Sequence, residues 1–262
     1  MLEIQGRELR MMSMLIACPS TGGHEPALAS WCETITSDPG IVFAVEDTIE
    51  GPGAGYLQKV DLIHRESPPT DLICYFHSDL FIQQAAWDEM VQYEFRDPSV
   101  VVASFCGAFW HGTDDIYRRP YDFRQLARHH FVSNMDNAEA HGRRLLTACN
   151  VAVVDSMAII VRRSFLDEIG GWPVNRYPPS HCSDYYLCLM AHKRGRKVRY
   201  IPVAVSHAGG GTKGDGRFDY AAWIAGTKWM SDDNCHKLGH WLIYHDFRNI
   251  LPVRVGLPDG IR

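Results

Sequence analysis

One stretch does most to limit what this chain can fold into: Asp71-Leu-Ile-Cys-Tyr-Phe-His77-Ser78-Asp79-Leu80. Leu72 to Phe76 is a short apolar run with the character of a buried strand. It stops on three polar residues, His77, Ser78 and Asp79. Apolar character returns at Leu80, Phe81 and Ile82 before a helix. Strand, polar tip, helix is how an open α/β sheet presents a site at the carboxyl end of a strand. His77 and Asp79 stand two apart, so on an extended tip both can turn towards one divalent cation. Such a cation can hold a diphosphate. The competing reading is a strand that ends on ordinary solvated polar residues.

With 262 residues, the chain has room for one large α/β domain or two small ones. A hydrophobic content of 46% supplies the core. No apolar run approaches the roughly 20 residues that a membrane span needs. Met1 to Arg7 lacks a basic region followed by an apolar one, so no secretory signal is expected. The eight cysteines are scattered, without a Cys-x-x-Cys pair or zinc-ribbon spacing, and read as reduced thiols of a cytoplasmic protein. The net charge of −5 argues against a protein whose main task is coating nucleic acid, though it leaves room for a local basic groove.

Met14 to Cys18 is a first strand, ending at Pro19-Ser20-Thr21-Gly22-Gly23-His24. A helix follows over Glu25 to Ile35, with Pro26 in its first turn. A small polar turn before a helix suits a nucleotide, because turn backbone and helix N-terminus face the ligand; a plain βα turn fits equally. Ile41 to Val45 is a second strand, ending on Glu46-Asp47-Thr48. Acidic residues there suit a ribose hydroxyl or a base N–H, both donors. Gly51 to Gly55 is a glycine-rich loop and Tyr56 to His64 a helix. A helix is expected over Gln83 to Phe95, with Ala86, Met90 and Phe95 inward, and a strand over Val100 to Ala103.

From His111 to Asn150 arginines, histidines and aromatics mix with acidic residues, as an acceptor-binding insertion, a lid, or a solvated helical excursion would. Val151 to Val161 is a strand or strand pair, with Asp155 either turned into the site or buried structurally. A helix begins at Arg162-Arg163 and ends at Gly170-Gly171. Asp184 sits where a loop enters a helix. It is either an N-cap or a rigidly held base. Val198 to Val205 is a strand that Pro202 makes an edge or a bent one. It ends at His207, before a glycine-rich loop, where a histidine is a candidate third metal ligand. Phe218 to Asn249 reads as helical, with Trp223, Trp229, Trp241, Tyr244 and Phe247 packing the tail back on the sheet.

Several of these pieces together resemble glycosyltransferases of family 2, which have the GT-A fold, and most closely a branch whose metal motif is His-x-Asp rather than Asp-x-Asp. The likeness runs over about residues 12 to 212. It rests on Leu72 to Leu80, Trp87, Phe95-Arg-Asp97-Pro98, Val154-Asp155-Ser156, Arg162-Arg163, Gly170-Gly171-Trp172, Ser183-Asp184-Tyr-Tyr-Leu-Cys-Leu, Gly195 to Pro202, and His207. Two departures stand out. Ser183 and Tyr186 replace two acidic residues of the family's Glu-Asp-x-Asp-Leu-Cys-Leu element, and Glu46-Asp47-Thr48-Ile49 stands for the usual Asp-Asp-Gly-Ser.

The resemblance implies a single GT-A-type α/β domain with a Rossmann-like mixed central sheet flanked by helices. Residues 1–212 would form it, with a nucleotide-binding half over about 12–110 and an acceptor half over about 111–212. Residues 213–262 would be a helical C-terminal extension packed on the domain. It implies inverting transfer of a sugar from a nucleotide-diphosphate donor, a UDP-sugar before others, to an acceptor hydroxyl. His77, Asp79 and His207 would hold Mn²⁺ or Mg²⁺. Pro19, Ser20, Glu46, Ser78 and Asp155 would bind the donor, and Asp184 would be the general base. The acceptor is open: a saccharide, a protein, a metabolite or a modified DNA base. A nucleotidyltransferase of similar architecture and a catalytically silent binding module are the rival expectations.

Overall fold

Alternation along the strands sets the architecture. The computed structural model describes residues 11–20, 23–36, 41–45, 55–112, 131–136, 142–178, 182–208 and 232–257. Its strands in chain order are β1 (Met14–Cys18), β2 (Ile41–Val45), β3 (Leu72–Phe76), β4 (Leu80–Ile82), β5 (Val100–Ser104), β6 (Cys106–Ala108), β7 (Trp110–His111), β8 (Phe131–Ser133), β9 (Arg143–Arg144), β10 (Cys149–Asn150), β11 (Val153–Val154), β12 (Ala158–Arg162), β13 (Lys197–Tyr200), β14 (Val205–His207) and β15 (Val253–Arg254). The helices are α1 (Glu25–Thr34), α2 (Tyr56–Glu66), α3 (Trp87–Glu94), α4 (Arg163–Glu168), α5 (Ser183–Lys193) and α6 (Asp232–Phe247).

The main sheet has the order β10-β13-β5-β12-β3-β1-β2. β1, β2, β3, β5 and β13 run parallel, and β12 opposes its neighbours β3 and β5. Leu72, Cys74 and Phe76 of β3 enter one core, with Trp31 of α1 and Trp87, Val91 and Phe95. Ile73 and Tyr75 enter the other, with Leu57, Val60 and Ile63 of α2, Phe165 of α4, Leu187 of α5 and Ile243 of α6. β1 divides the same way. A sheet covered on both faces needs continuous apolar strands, which is why β3 shows no polar alternation. The fold class is the expected one: a mixed α/β sheet between two helical layers.

Local signals hold in several places. Pro26 lies in the first turn of α1. α4 runs into Gly170 and Gly171, both at positive φ, and the Gly171 N–H closes on the Leu166 carbonyl at 2.8 Å. Three expectations need correction. The helix expected over Gln83–Phe95 begins only at Trp87, because Leu80–Ile82 pairs with β14 and Ala86 turns the chain at φ 58°. Its buried face is Trp87, Val91 and Phe95, with Met90 only partly covered. The strand expected over Val198–Val205 is two strands: β13, interior between β10 and β5, and β14, which pairs with β4. Pro202, which has no N–H to give a ladder, lies between them. Trp241 is 44% exposed and does not anchor the tail.

The tail helix is held by other groups. Arg176 Nε and the Tyr177 hydroxyl both donate to Asp246 Oδ2, each at 2.8 Å. Tyr186 places its ring between Tyr177 and Phe247, at centroid distances of 5.8 and 6.2 Å. Tyr186 therefore serves the seam between α5 and α6. Asp246→Ala is expected to lower the unfolding free energy by about 1–3 kcal/mol, because the buried Tyr177 hydroxyl loses its acceptor. Urea denaturation of the variant against the parent measures it.

Candidate active site

The polar tip after β3 is fixed by backbone bonds. The His77 N–H donates to the Met157 carbonyl at 2.9 Å, and the Leu80 N–H closes the turn on the His77 carbonyl at 3.1 Å. β14 then lies antiparallel to β4, with His207 opposite Leu80, and the Ala208 N–H meets the Asp79 carbonyl at 3.3 Å. This register carries His207 to Asp79: Nε2 and Oδ1 are 3.1 Å apart. The His77 and His207 rings have centroids 5.5 Å apart. One ligand atom from each of His77, Asp79 and His207 lies within 4.8 Å of the others, and among the described residues no other group of three metal-ligating side chains does so.

That donor set fits a divalent cation. Ligand bonds near 2.0–2.2 Å put donor atoms about 3–4.4 Å apart, a small adjustment from the spacing present. Burial, and then the charge of His207, push His77 down to about 4, so its ring is neutral. His207 is raised: burial opposes this, but the hydrogen bond and charge of Asp79 outweigh it.

Residues 155–157 join this corner to Asp184. Met157 holds His77 through its carbonyl, while the Ser156 N–H hydrogen-bonds to the Asp184 carboxylate. The turn is itself held by Asp155 Oδ1, which accepts from the Met157 N–H at 3.0 Å. The Asp155 charge acts on His77, His207, Asp184 and Tyr56 alike. Asp184 is not an N-cap. Cys182 occupies that position at φ 67°, and Asp184 lies inside the first turn of α5, where Oδ1 accepts from the Tyr185 N–H at 2.8 Å. Burial, and then Asp155, push its carboxyl up to about 7, against the hydrogen bonds it accepts. A buried carboxylate at that value is suited to taking a proton near neutrality.

The expected donor residues divide. Ala17 pairs with Tyr75, so the end of β1 lies beside the end of β3, and Pro19 and Ser20 are buried there. The Ser20 hydroxyl is 3.0 Å from His24 Nδ1, and its carbonyl accepts from Lys59. Ser78 sits half-buried in the tip between two of the clustered side chains. Glu46 lies outside the described residues, as do 113–130 and 137–141 of the Arg/His/aromatic segment. Two residues of α2 went unread in the sequence, Tyr56 and Lys59. The signal was a tyrosine directly after the glycine-rich loop, with a lysine one turn on.

No family model and no curated protein matches the sequence. In structure the chain is similar to GalNAc-T7, crystallised with UDP, GalNAc and Mn²⁺, at a TM-score of 0.52 and 9% identity over 75% of this chain. It spans 43% of that protein's chain, less than half its length. This is the GT-A fold. Two further likenesses are looser. One is to the mannosyltransferase PcManGT from Pyrobaculum calidifontis in complex with GDP-Man and Mn²⁺, at 0.47 and 14% over 82% of this chain and 60% of that one. The other is to A197 from STIV, at 0.42 and 11% over 73% and 82%.

Proposed function

We propose that this chain is a metal-dependent glycosyltransferase that moves a sugar from a nucleotide-diphosphate donor to an acceptor hydroxyl. The observation that carries the reading is one turn, residues 155–157, tying a His-Asp-His cluster to a buried carboxylate poised near neutrality, on a GT-A fold. His77, Asp79 and His207 would hold Mn²⁺ or Mg²⁺, and of these two Mg²⁺, which keeps to oxygen ligands, suits a pair of imidazoles less. When bound, the cation offsets the charge that builds on the departing diphosphate. Pro19, Ser20 and Glu46 would hold the nucleoside, with Ser78 and Asp155 further along the donor. Asp184 takes the proton of the acceptor hydroxyl as its oxygen bonds to the anomeric carbon. The bond from that carbon to the diphosphate oxygen breaks, and the nucleoside diphosphate leaves. Inversion at carbon belongs to this reading.

Residues 12–212 would be the transferase unit and 213–262 its extension. Six of the seven described cysteines are buried, which fits thiols kept reduced in a compartment such as the cytoplasm. No helix among the described residues is long and apolar enough to cross a membrane. A screen of UDP- and GDP-sugars with Mn²⁺, reading released nucleoside diphosphate, tests the proposal. Release of UDP or GDP with free sugar is expected. Release of sugar 1-phosphate instead, with the nucleoside monophosphate passed on by attack at the α-phosphorus, would make the chain a nucleotidyltransferase. No turnover of any donor that binds would make it a silent binding module.

A further inference from the structure

Tyr56 opens α2 directly after the glycine-rich loop, and its ring meets the His77 ring edge-on, with centroids 5.3 Å apart and planes at 71°. Its hydroxyl oxygen is buried and has no hydrogen-bond partner among the described residues. Burial first, and then the charges of Tyr75, Asp184, Cys18 and Asp155, hold the phenol well above its ordinary value. The ring thus lies against His77, and the charges of Asp184 and Asp155 both act on the phenol. A phenylalanine would make the same ring contact without burying an unmet polar group. The hydroxyl is a donor that lacks an acceptor until a ligand brings one.

Position selects the ligand atom. On the same face of α2, one turn on, Lys59 donates to the Ser20 carbonyl at the end of β1. In the glycosyltransferase reading, the end of β1 that Lys59 touches would hold the nucleoside. Tyr56 lies against His77, so in the glycosyltransferase reading it would stand beside the cluster that would hold the diphosphate, within range of the charge of Asp184, which would take the acceptor's proton. Asp155 and Asp184 can only accept from hydroxyls while ionised, so a sugar lying there finds acceptors on one side and needs a donor on the other. We propose that the Tyr56 hydroxyl donates a hydrogen bond to an oxygen of the transferred sugar and so selects the sugar-bearing donor over the bare nucleotide. This rests on the glycosyltransferase reading above.

The test is Tyr56→Phe, with binding measured by calorimetry in Mn²⁺ for UDP against UDP-glucose and UDP-N-acetylgalactosamine, and for GDP against GDP-mannose. Whichever pair the parent binds more tightly is compared. The variant is expected to bind the nucleotide sugar about threefold to tenfold more weakly, the worth of one neutral hydrogen bond, while its affinity for the nucleoside diphosphate stays within about twofold. Its melting temperature is expected to be unchanged or higher, since the lost hydroxyl had no partner. Equal weakening of nucleotide and nucleotide sugar would place the phenol on the nucleotide and overturn the assignment. So would no weakening of either, or a lowered melting temperature, which would mark a structural hydroxyl. A parent protein that binds none of the nucleotide sugars would bring down the glycosyltransferase reading itself, a result separate from a binding parent with an unaffected variant.

Discussion

Asp184→Asn is expected to slow sugar transfer by decades and to make the metal-free protein more stable, the second effect only at high pH. The loss of turnover should be about two to four decades, the usual worth of a positioned general base. In the parent, kcat/KM should fall as pH drops through about 7, where the Asp184 carboxyl gains its proton. The stability effect follows from the same displacement. The folded-state value is about 7 against an ordinary 3.8, because burial and the Asp155 charge oppose ionisation. The folded chain thus binds the proton more tightly than the unfolded one. The penalty is absent below about pH 4, grows between 4 and 7, and is complete above 7. About three pH units at 1.36 kcal/mol each set an upper scale near 4 kcal/mol. An asparagine never ionises and keeps the oxygen that accepts from Tyr185, though its amide needs partners of its own. A gain on the order of 2–4 kcal/mol at pH 8 and almost none at pH 4 is therefore expected from urea denaturation. Equal stability differences at both values, or turnover at the parent rate, would remove Asp184 from the role of base. Donor binding kept while turnover is lost would separate an inactivated enzyme from a binding module.

Much of this site was legible because it depends on short spacings. His77 and Asp79 stand two apart at the tip, where a turn rather than the expected extended backbone brings them together, and five buried apolar residues before them leave that tip nowhere to go but the sheet edge. His207 stood out as a histidine at a strand end. What brings it to Asp79 did not, because the pairing of β14 with β4 is a register between distant segments and no local pattern records it. The same pairing misled the placement of α3. Leu80 to Ile82 has the apolar character of a helix approach, yet its backbone is taken by β14. The link from His77 through Met157 and Ser156 to Asp184 runs through main-chain groups, which any residue supplies. Tyr56 was hidden in the apolar spacing of Leu57, Val60 and Ile63, where a ring reads as packing and its hydroxyl goes uncounted. The acidic gap at Tyr186 reads as a loss in the family element, but the ring packs between Tyr177 and Phe247 on the tail helix.

Removal of a clustered side chain is expected to have the largest effect on ligand binding. The parent should take up a single Mn²⁺, followed by the paramagnetic signal of the free ion. Asp79→Ala removes the only carboxylate of the set and leaves two imidazoles to face a doubly charged cation. His207→Ala removes the one ligand that arrives on β14. Outer groups that merely orient a ligand already change affinity by about 10–100-fold, so loss of a ligand itself should cost about 100-fold or more. Asp136→Asn gives the control. It removes the same charge from an exposed side chain bonded to Gln83 at 2.7 Å, and screening should keep the affinity within about twofold. Chelation should then stop donor turnover in the parent, and Mn²⁺ should restore it further than Mg²⁺, which prefers oxygen ligands to imidazole. Undiminished Mn²⁺ uptake in both Asp79→Ala and His207→Ala would mean that the three side chains meet for structural reasons alone. The transfer reaction would then have no electrophilic partner at the tip of β3.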